Sequence, residues 1–170
     1  MAQPSAELIN KVTWMIPNVL ALVGSRAGDS WNAMTTSWIT QVSMDPVLVA
    51  VGVDNKAVTH RLIAASGVFT VNLWSSADTR VFVKFSKPAR KEGMELNGRP
   101  IRAGETGAPV FEEAIAWFEC QVRHTFDVGT HTLFVGEIVA AGVSEDADGA
   151  RTAALSDTRM KYGGVRRGGH

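Results

Sequence analysis

Apolar runs separated by turn-forming residues set the framework of this chain. Runs rich in β-branched residues occupy 19–23, 47–53 and 68–73 and read as buried strands. Two longer runs, 115–128 and 132–143, flank Gly129, whose freedom at positive φ suits a tight reversal, so together they read as a long hairpin. Along the first, Phe118, Cys120 and Val122 fall on one face and Glu119, Gln121 and Arg123 on the other, and one face is expected to meet a core.

Helical spacing is confined to short stretches. Residues 4–12 open with Pro and Ser and carry Leu8, Ile9 and Val12 at helical intervals, which predicts a short amphipathic helix used for packing. Residues 59–65, with Val58, Leu62 and Ile63 as an apolar stripe, and residues 77–85, with Val81, Phe82 and Phe85 on one side, read as two more. These helices connect strands and do not build a bundle. From 87 to 109 the composition shifts to Gly, Pro, Arg and Glu, and a long surface loop without a core layer is expected. Residues 144–170 form a polar tail, of which the last nine, from Tyr162, are not expected to order alone. Neither a repeat nor a linker interrupts the chain, and a single domain is expected over 1–170.

Composition narrows this further. With 170 residues and 45% hydrophobic content the chain can fill one core but hardly two. Its 17 basic and 17 acidic side chains cancel, and no long block of one sign exists to attract a phosphate backbone or a charged membrane surface. No apolar run approaches the roughly 18 residues of a membrane span, and no secretory leader pattern opens the sequence, so a soluble chain is expected. The one cysteine, Cys120, excludes an internal disulfide framework and reads as a packed thiol, which fits a reducing cytoplasm.

Several kinds of chemistry lack their motifs. Neither GxGxxG nor GxxxxGK[ST] is present, and no GxSxG elbow occurs. His60, His124, His131 and His170 lack HExxH spacing, and one cysteine cannot build a Cys-rich site, so no metal is expected. What remains is the segment 32–63, where hydroxyls, amides and one lysine sit between strand-like runs. Thr35, Thr36, Ser37 and Ser43 near Trp38 offer the donors and acceptors that a ring with carbonyl and imide groups requires; the same residues would also suit a solvated strand edge. Asn55, Lys56 and Thr59 lie at a helix start, where free N–H groups favour an anion, and Lys84, Ser86 and Lys87 end the next helix; exposed lysines there can equally serve solubility alone.

These segments carry a resemblance. NAMTTSWITQVSMDPVLVAV, then a Lys and a Thr before a helix, then SGVFTVNLW, and later GTHTLFVGEIV, resemble the flavin reductase-like, FMN-binding split-barrel proteins over about 19–142. The Lys161-Tyr162-Gly163-Gly164 tail matches less closely. The resemblance implies a mainly β fold, a split barrel with a few short connecting helices. It implies a homodimer that binds FMN, or FAD, with Met34, Thr35, Thr36, Ser37, Trp38 and Ser43 along the isoalloxazine and ribityl chain. Asp54, Asn55, Lys56 and Thr59 would surround the phosphate, joined by Lys84, Phe85 and Ser86. His131 corresponds to the family histidine beside the nicotinamide of NADH or NADPH, although it would also serve to cap the hairpin turn; Thr130 stands where that family usually has Asp. The activity implied is an NAD(P)H:flavin oxidoreductase, including the reductase component that supplies a flavin-dependent monooxygenase. A flavoredoxin-like electron carrier that keeps its FMN is the alternative, and a flavin-binding module without either activity is a third. Arg80, Arg90, Arg99 and Arg102 are all candidates for a 2′-phosphate.

Overall fold

A computed structural model describes residues 3–165 of the chain. Its strands are β1 (Ala21–Ala27), β2 (Ser30–Thr36), β3 (Ile39–Met44), β4 (Val47–Asp54), β5 (Val68–Leu73), β6 (Lys91–Glu92), β7 (Glu95–Leu96), β8 (Arg99–Ala103), β9 (Pro109–Phe111), β10 (Ala116–Asp127) and β11 (His131–Val143). Helices α1 (Ala6–Thr13), α2 (Val58–Ser66) and α3 (Arg80–Lys84) are short. Among the described residues no helix is long and apolar enough to cross a membrane.

The main sheet is antiparallel with the order β2-β1-β5-β10-β11-β4-β3, which puts β2 and β3 at opposite edges. Laid flat, six spacings of about 4.8 Å would hold those edges about 29 Å apart. Yet Thr36 and Ile39 are three Cα steps apart in the chain, at most about 11 Å. The sheet therefore curls until its edges face each other across Ser37 and Trp38, which makes a mainly β barrel with a split at that point. Inside it, Val23, Val51, Phe69, Cys120 and Phe134 from opposite walls form one core with Ile63 of α2. Outside it, Leu20 and Leu22 form a second core with Phe82 and Phe85 at α3 and with Leu96, Ile101 and Phe111.

That second core corrects the expected loop at 87–109. Strands β6 to β9 make a separate four-stranded sheet, and Leu96 and Ile101 are buried. Its strands are too short to show a period, and most of the apolar surface they pack against comes from other parts of the chain. The two faces of β10 fall as alternation assigns them, with Phe118, Cys120 and Val122 in one core, but the polar face is covered as well at Glu119. Glu119 is wholly buried, because the β8–β9 turn covers the side of the strand that alternation leaves polar. Its Oε1 accepts from the N–H of Glu105 (2.9 Å), and its Oε2 accepts from the N–H and hydroxyl of Thr106 (2.8 and 2.6 Å). On the neighbouring β5 the Thr70 hydroxyl donates to the Pro109 carbonyl and Asn72 Oδ1 accepts from the Phe111 N–H. Three buried polar side chains thus fasten the small sheet to the large one through its backbone.

Helix α1 begins as its sequence requires, with the Ser5 hydroxyl accepting from the Leu8 N–H. None of its residues is buried, so the expected packing against a core does not occur. Instead it holds the tail: the Val165 N–H donates to Asn10 Oδ1 (2.8 Å), and the Trp14 indole N–H donates to the Gly163 carbonyl (3.1 Å). The tail is tied again at Ala154, bridged to Val19, and Ala153 is buried. Residues 166–170, part of the tail not expected to order alone, lie outside the described residues.

Cys120 is buried as expected, and burial first, then the neighbouring Glu119 charge, pushes its thiol from 9.0 up to about 12. Folded, the thiol keeps a proton that the unfolded chain releases above its ordinary pKa. Stability is therefore expected to fall as pH rises from 9.0 towards about 12. At pH 8 an aromatic disulfide reagent should leave the native thiol untouched and titrate one equivalent in guanidinium; rapid labelling of the native chain would contradict this burial.

Candidate functional site

The split gathers side chains that the sequence keeps apart. A cavity of about 480 Å³ opens between the end of β2, the Ser37–Trp38 link, the end of β4, the start of α2 and the segment after α3. Met34, Thr35, Thr36, Ser37, Asp54, Lys56, Phe85 and Ser86 line it, together with Asn32, Gly52, Lys87 and Pro88, and Leu155, Met160 and Tyr162 of the tail close one side.

The hydroxyls at the end of β2 have different uses. Thr35 is spent on the scaffold: its hydroxyl donates to the Phe82 carbonyl (2.7 Å) and its N–H to the Phe85 carbonyl (3.0 Å), so β2 itself places Phe85 and Ser86. Thr36 Oγ1 and Ser37 Oγ are buried and have no hydrogen-bond partner among the described residues. Buried polar atoms are rarely left so, because each forfeits its water without return. Both residues line the cavity, with their hydroxyls just beneath its surface, so a polar ligand that shifts them slightly would supply the missing partners.

Across the cavity, α2 starts without a side-chain cap at Ala57 and with no acidic residue in its first turn. The Asp54 carboxylate accepts from the Lys56 N–H (2.8 Å), a turn that presents Lys56 and the free end of α2 at the cavity mouth. Free N–H groups, the helix dipole and an ammonium there favour an anion.

Six sequence candidates lie elsewhere. Thr59 is buried beneath the cavity floor, where its hydroxyl accepts from Asn32 Nδ2 (2.8 Å); Asn32 Oδ1 in turn accepts from the Ala89 N–H (2.7 Å). The Asn55 side chain is turned to the β10–β11 reversal. Ser43 pairs with Leu48 on the edge strand and, like Lys84, lines neither of the two cavities described here. Trp38 and His131 belong to a neighbouring cavity of about 640 Å³, also lined by Trp14, Thr130, Arg159, Lys161 and residues 162–165. Gly52 leaves room for the Trp38 ring, which lies against the place a Cβ would take.

Asp54 and Tyr162 wall both cavities. The Tyr162 hydroxyl lies 2.5 Å from His131 Nε2, and Thr130 Oγ1 lies 2.8 Å from Nδ1, so a hydroxyl group meets each ring nitrogen. The His131 and Tyr162 rings each pack 4.8 Å from Trp38. Burial, and next the Asp54 charge, raise the Tyr162 pKa above its usual value, which keeps the phenol protonated. None of Arg80, Arg90, Arg99 and Arg102 lines either cavity; Arg99 pairs with Asp78 and Glu113, and Arg102 lies over Trp117. The guanidinium and ammonium near His131 are those of Arg159 and Lys161. Sequence reading marked the segment that begins at Asn32 without giving that side chain a role, and it did not pick Leu155, Met160 or Arg159, which the tail brings to the site.

The flavin reductase like domain matches residues 15–166. This chain belongs to that family. It is 33% identical to the ferric-chelate reductase (NAD(P)H) of Archaeoglobus fulgidus over 131 residues, 76% of this chain and 78% of the relative. It is also 33% identical to an NADH-dependent flavin reductase of Pseudomonas fluorescens over 114 residues, 67% of this chain and 64% of that one. Among solved structures, the flavoredoxin of Methanosarcina acetivorans superposes with a TM-score of 0.67 at 29% identity, covering 77% of this chain and 71% of the flavoredoxin. Family membership agrees with a cavity at the barrel split whose polar wall lies opposite an uncapped helix.

Proposed function

We propose that this chain is an NAD(P)H-dependent flavin reductase that holds FMN, or the corresponding half of FAD, in the 480 Å³ cavity. The observation that carries this reading is the pair of buried, unpartnered hydroxyls of Thr36 and Ser37, which the carbonyl and imide edge of a flavin ring would satisfy. Lys56, with the first turn of α2, would meet the ribityl phosphate, and Met34 would cover ring surface with Phe85 behind the wall. A bound flavin supplies a ring that accepts a hydride from reduced nicotinamide and passes the electrons on, so no protein nucleophile is needed.

The chain's own contribution is placement and exclusion. His131 would orient a nicotinamide carboxamide in the second cavity through Nε2 once Tyr162 yields it, while Thr130 keeps Nδ1, with Arg159 and Lys161 toward the phosphates. Trp38 and Tyr162 form an aromatic surface at the junction, over which a stacked nicotinamide would exclude water. The exposed apolar residues Leu8, Val12, Met15 and Ile16 suit a homodimer, and a cytoplasmic setting with a flavin-dependent monooxygenase as recipient completes the reading. A second reading, an electron carrier that retains its FMN, is favoured by the likeness to flavoredoxin.

The test is a visible spectrum with added FMN, followed anaerobically after NADH or NADPH. Bleaching near 450 nm, about the flavin maximum, over many turnovers of excess FMN supports the reductase. A yellow protein that stays oxidised favours the carrier. Absence of flavin binding would overturn both.

A further inference from the structure

Asn55 sits between Asp54, which walls both cavities, and Lys56, yet its side chain serves the opposite direction. Its backbone N–H donates to the Thr130 carbonyl (3.1 Å) and its Nδ2 to the Gly129 carbonyl (2.8 Å). Its Oδ1 accepts from the Thr132 hydroxyl (2.8 Å). That hydroxyl has one proton, spent on Asn55, so the His60 Nε2 lying 2.8 Å from it must be the donor, which sets the His60 tautomer. Asn55 thus grips the residues on both sides of His131, and His60 ties that grip to the first turn of α2. The reversal at Gly129 (φ +102°) is also closed by the Val128 N–H to the His131 carbonyl (3.1 Å) and the Gly129 N–H to Asp127 Oδ1 (3.0 Å), and Asn55 adds the contacts that join it to β4. Strand pairing sets His131 directly across from Asp54, so the gripped turn and the cavity mouth share one register.

We propose that Asn55 is a positioning residue that sets the orientation of His131 toward the nicotinamide, not a ligand of the flavin phosphate. The proposal rests on the reading of His131 as the nicotinamide-side group. Asn55 is exposed, so its side chain can be cut back without opening a core; Thr132 is buried, and valine fills nearly the volume of its side chain.

The experiment uses the full chain with Asn55→Ala and, separately, Thr132→Val, which removes the anchor on Asn55 Oδ1 together with the acceptor of His60 Nε2. Imidazole ¹H–¹⁵N spectra of His131, without added cofactor, should show in both variants a changed balance of tautomers and a changed titration. With saturating FMN, the KM for the nicotinamide should rise between about tenfold and a hundredfold, the cost of a displaced orienting group, while kcat at saturation and the FMN Kd move far less. His131 spectra that coincide with those of the unaltered protein in both variants would overturn the proposal. So would an FMN Kd that rises in Asn55→Ala as much as the nicotinamide KM, since the side chain would then be serving the phosphate. If the unaltered chain binds no flavin, the proposed function falls instead, and altered His131 spectra in the variants still uphold the hold of Asn55 on His131.

Discussion

Replacing Glu119 with leucine is expected to lower the unfolding free energy by about 3 kcal/mol or more, although leucine is of similar size and apolar. Three donors converge on the carboxylate: the N–H groups of Glu105 and Thr106 and the Thr106 hydroxyl. All three lie in a part-buried turn, and an apolar substitute leaves them without an acceptor at about 1–3 kcal/mol each, partly relieved by water. The turn is also closely fitted, because a Cβ at Gly104 would overlap the Glu119 carboxylate. Glu119→Gln keeps one acceptor oxygen but points an amide N–H₂ at donors, and should cost about 1–2 kcal/mol. Guanidinium unfolding curves of the two variants check the ordering. A leucine variant within about 1 kcal/mol of the unaltered chain would show that the turn finds other acceptors.

The effect should reach the cavity. The β8–β9 turn leads into β9, which ends at Phe111, whose ring meets Phe85 edge-on at 5.3 Å and Trp74 at 5.9 Å. Phe85 lines the cavity and is placed by the Thr35 N–H. Loosening the small sheet therefore removes the backing of one cavity wall, and flavin affinity should fall in the leucine variant as well.

How far the sequence discloses this arrangement depends on the range of the forces involved. Strands β4, β5, β10 and β11 are legible because each carries enough apolar residues to show its own pattern, and the Gly129 reversal is a local event. The small sheet is not legible, since strands of two to five residues carry no period and Leu96 and Ile101 are buried by residues from other segments. Glu119 misleads for a related reason: alternation marks it as outward, and nothing local reveals that a turn some fourteen residues earlier lies over it.

The site divides in the same way. Thr36, Ser37 and Lys56 are recognisable by residue type next to a strand end or a helix start, and they do line the cavity. Asn55 and Thr59 have equally suitable chemistry, but their partners, Gly129, Thr132 and Asn32, come from distant strands and claim the side chains first. The tail contributes Leu155, Met160 and Tyr162 to the cavity from a stretch whose composition reads as solvent-facing. The anchoring of that tail by Asn10 and Trp14 of the first helix region, by the bridge from Ala154 to Val19 and by Leu155 and Met160 against the core makes it a wall.

The unpartnered hydroxyls lead to the second large effect, in which stability and binding move in opposite directions. Thr36→Val is nearly isosteric and Ser37→Ala removes only the hydroxyl. Each should relieve the ligand-free chain of a buried, unpaired oxygen and stabilise it by about 1–2 kcal/mol, or about 2–4 °C in Tm per kcal/mol at this chain length. With FMN the same oxygens should gain partners, so each substitution is expected to weaken binding about tenfold or more. Tenfold weaker binding removes about 1.4 kcal/mol of ligand stabilisation at saturating FMN. The doubly substituted chain should therefore melt above the unaltered one without flavin and lose most or all of that lead with it. Thermal melts at increasing FMN, with the Kd measured by quenching of flavin fluorescence, test both halves together. Should the double variant melt lower in the absence of flavin, the two hydroxyls are already satisfied within the protein, and the cavity loses the feature that most favours a flavin over any other occupant.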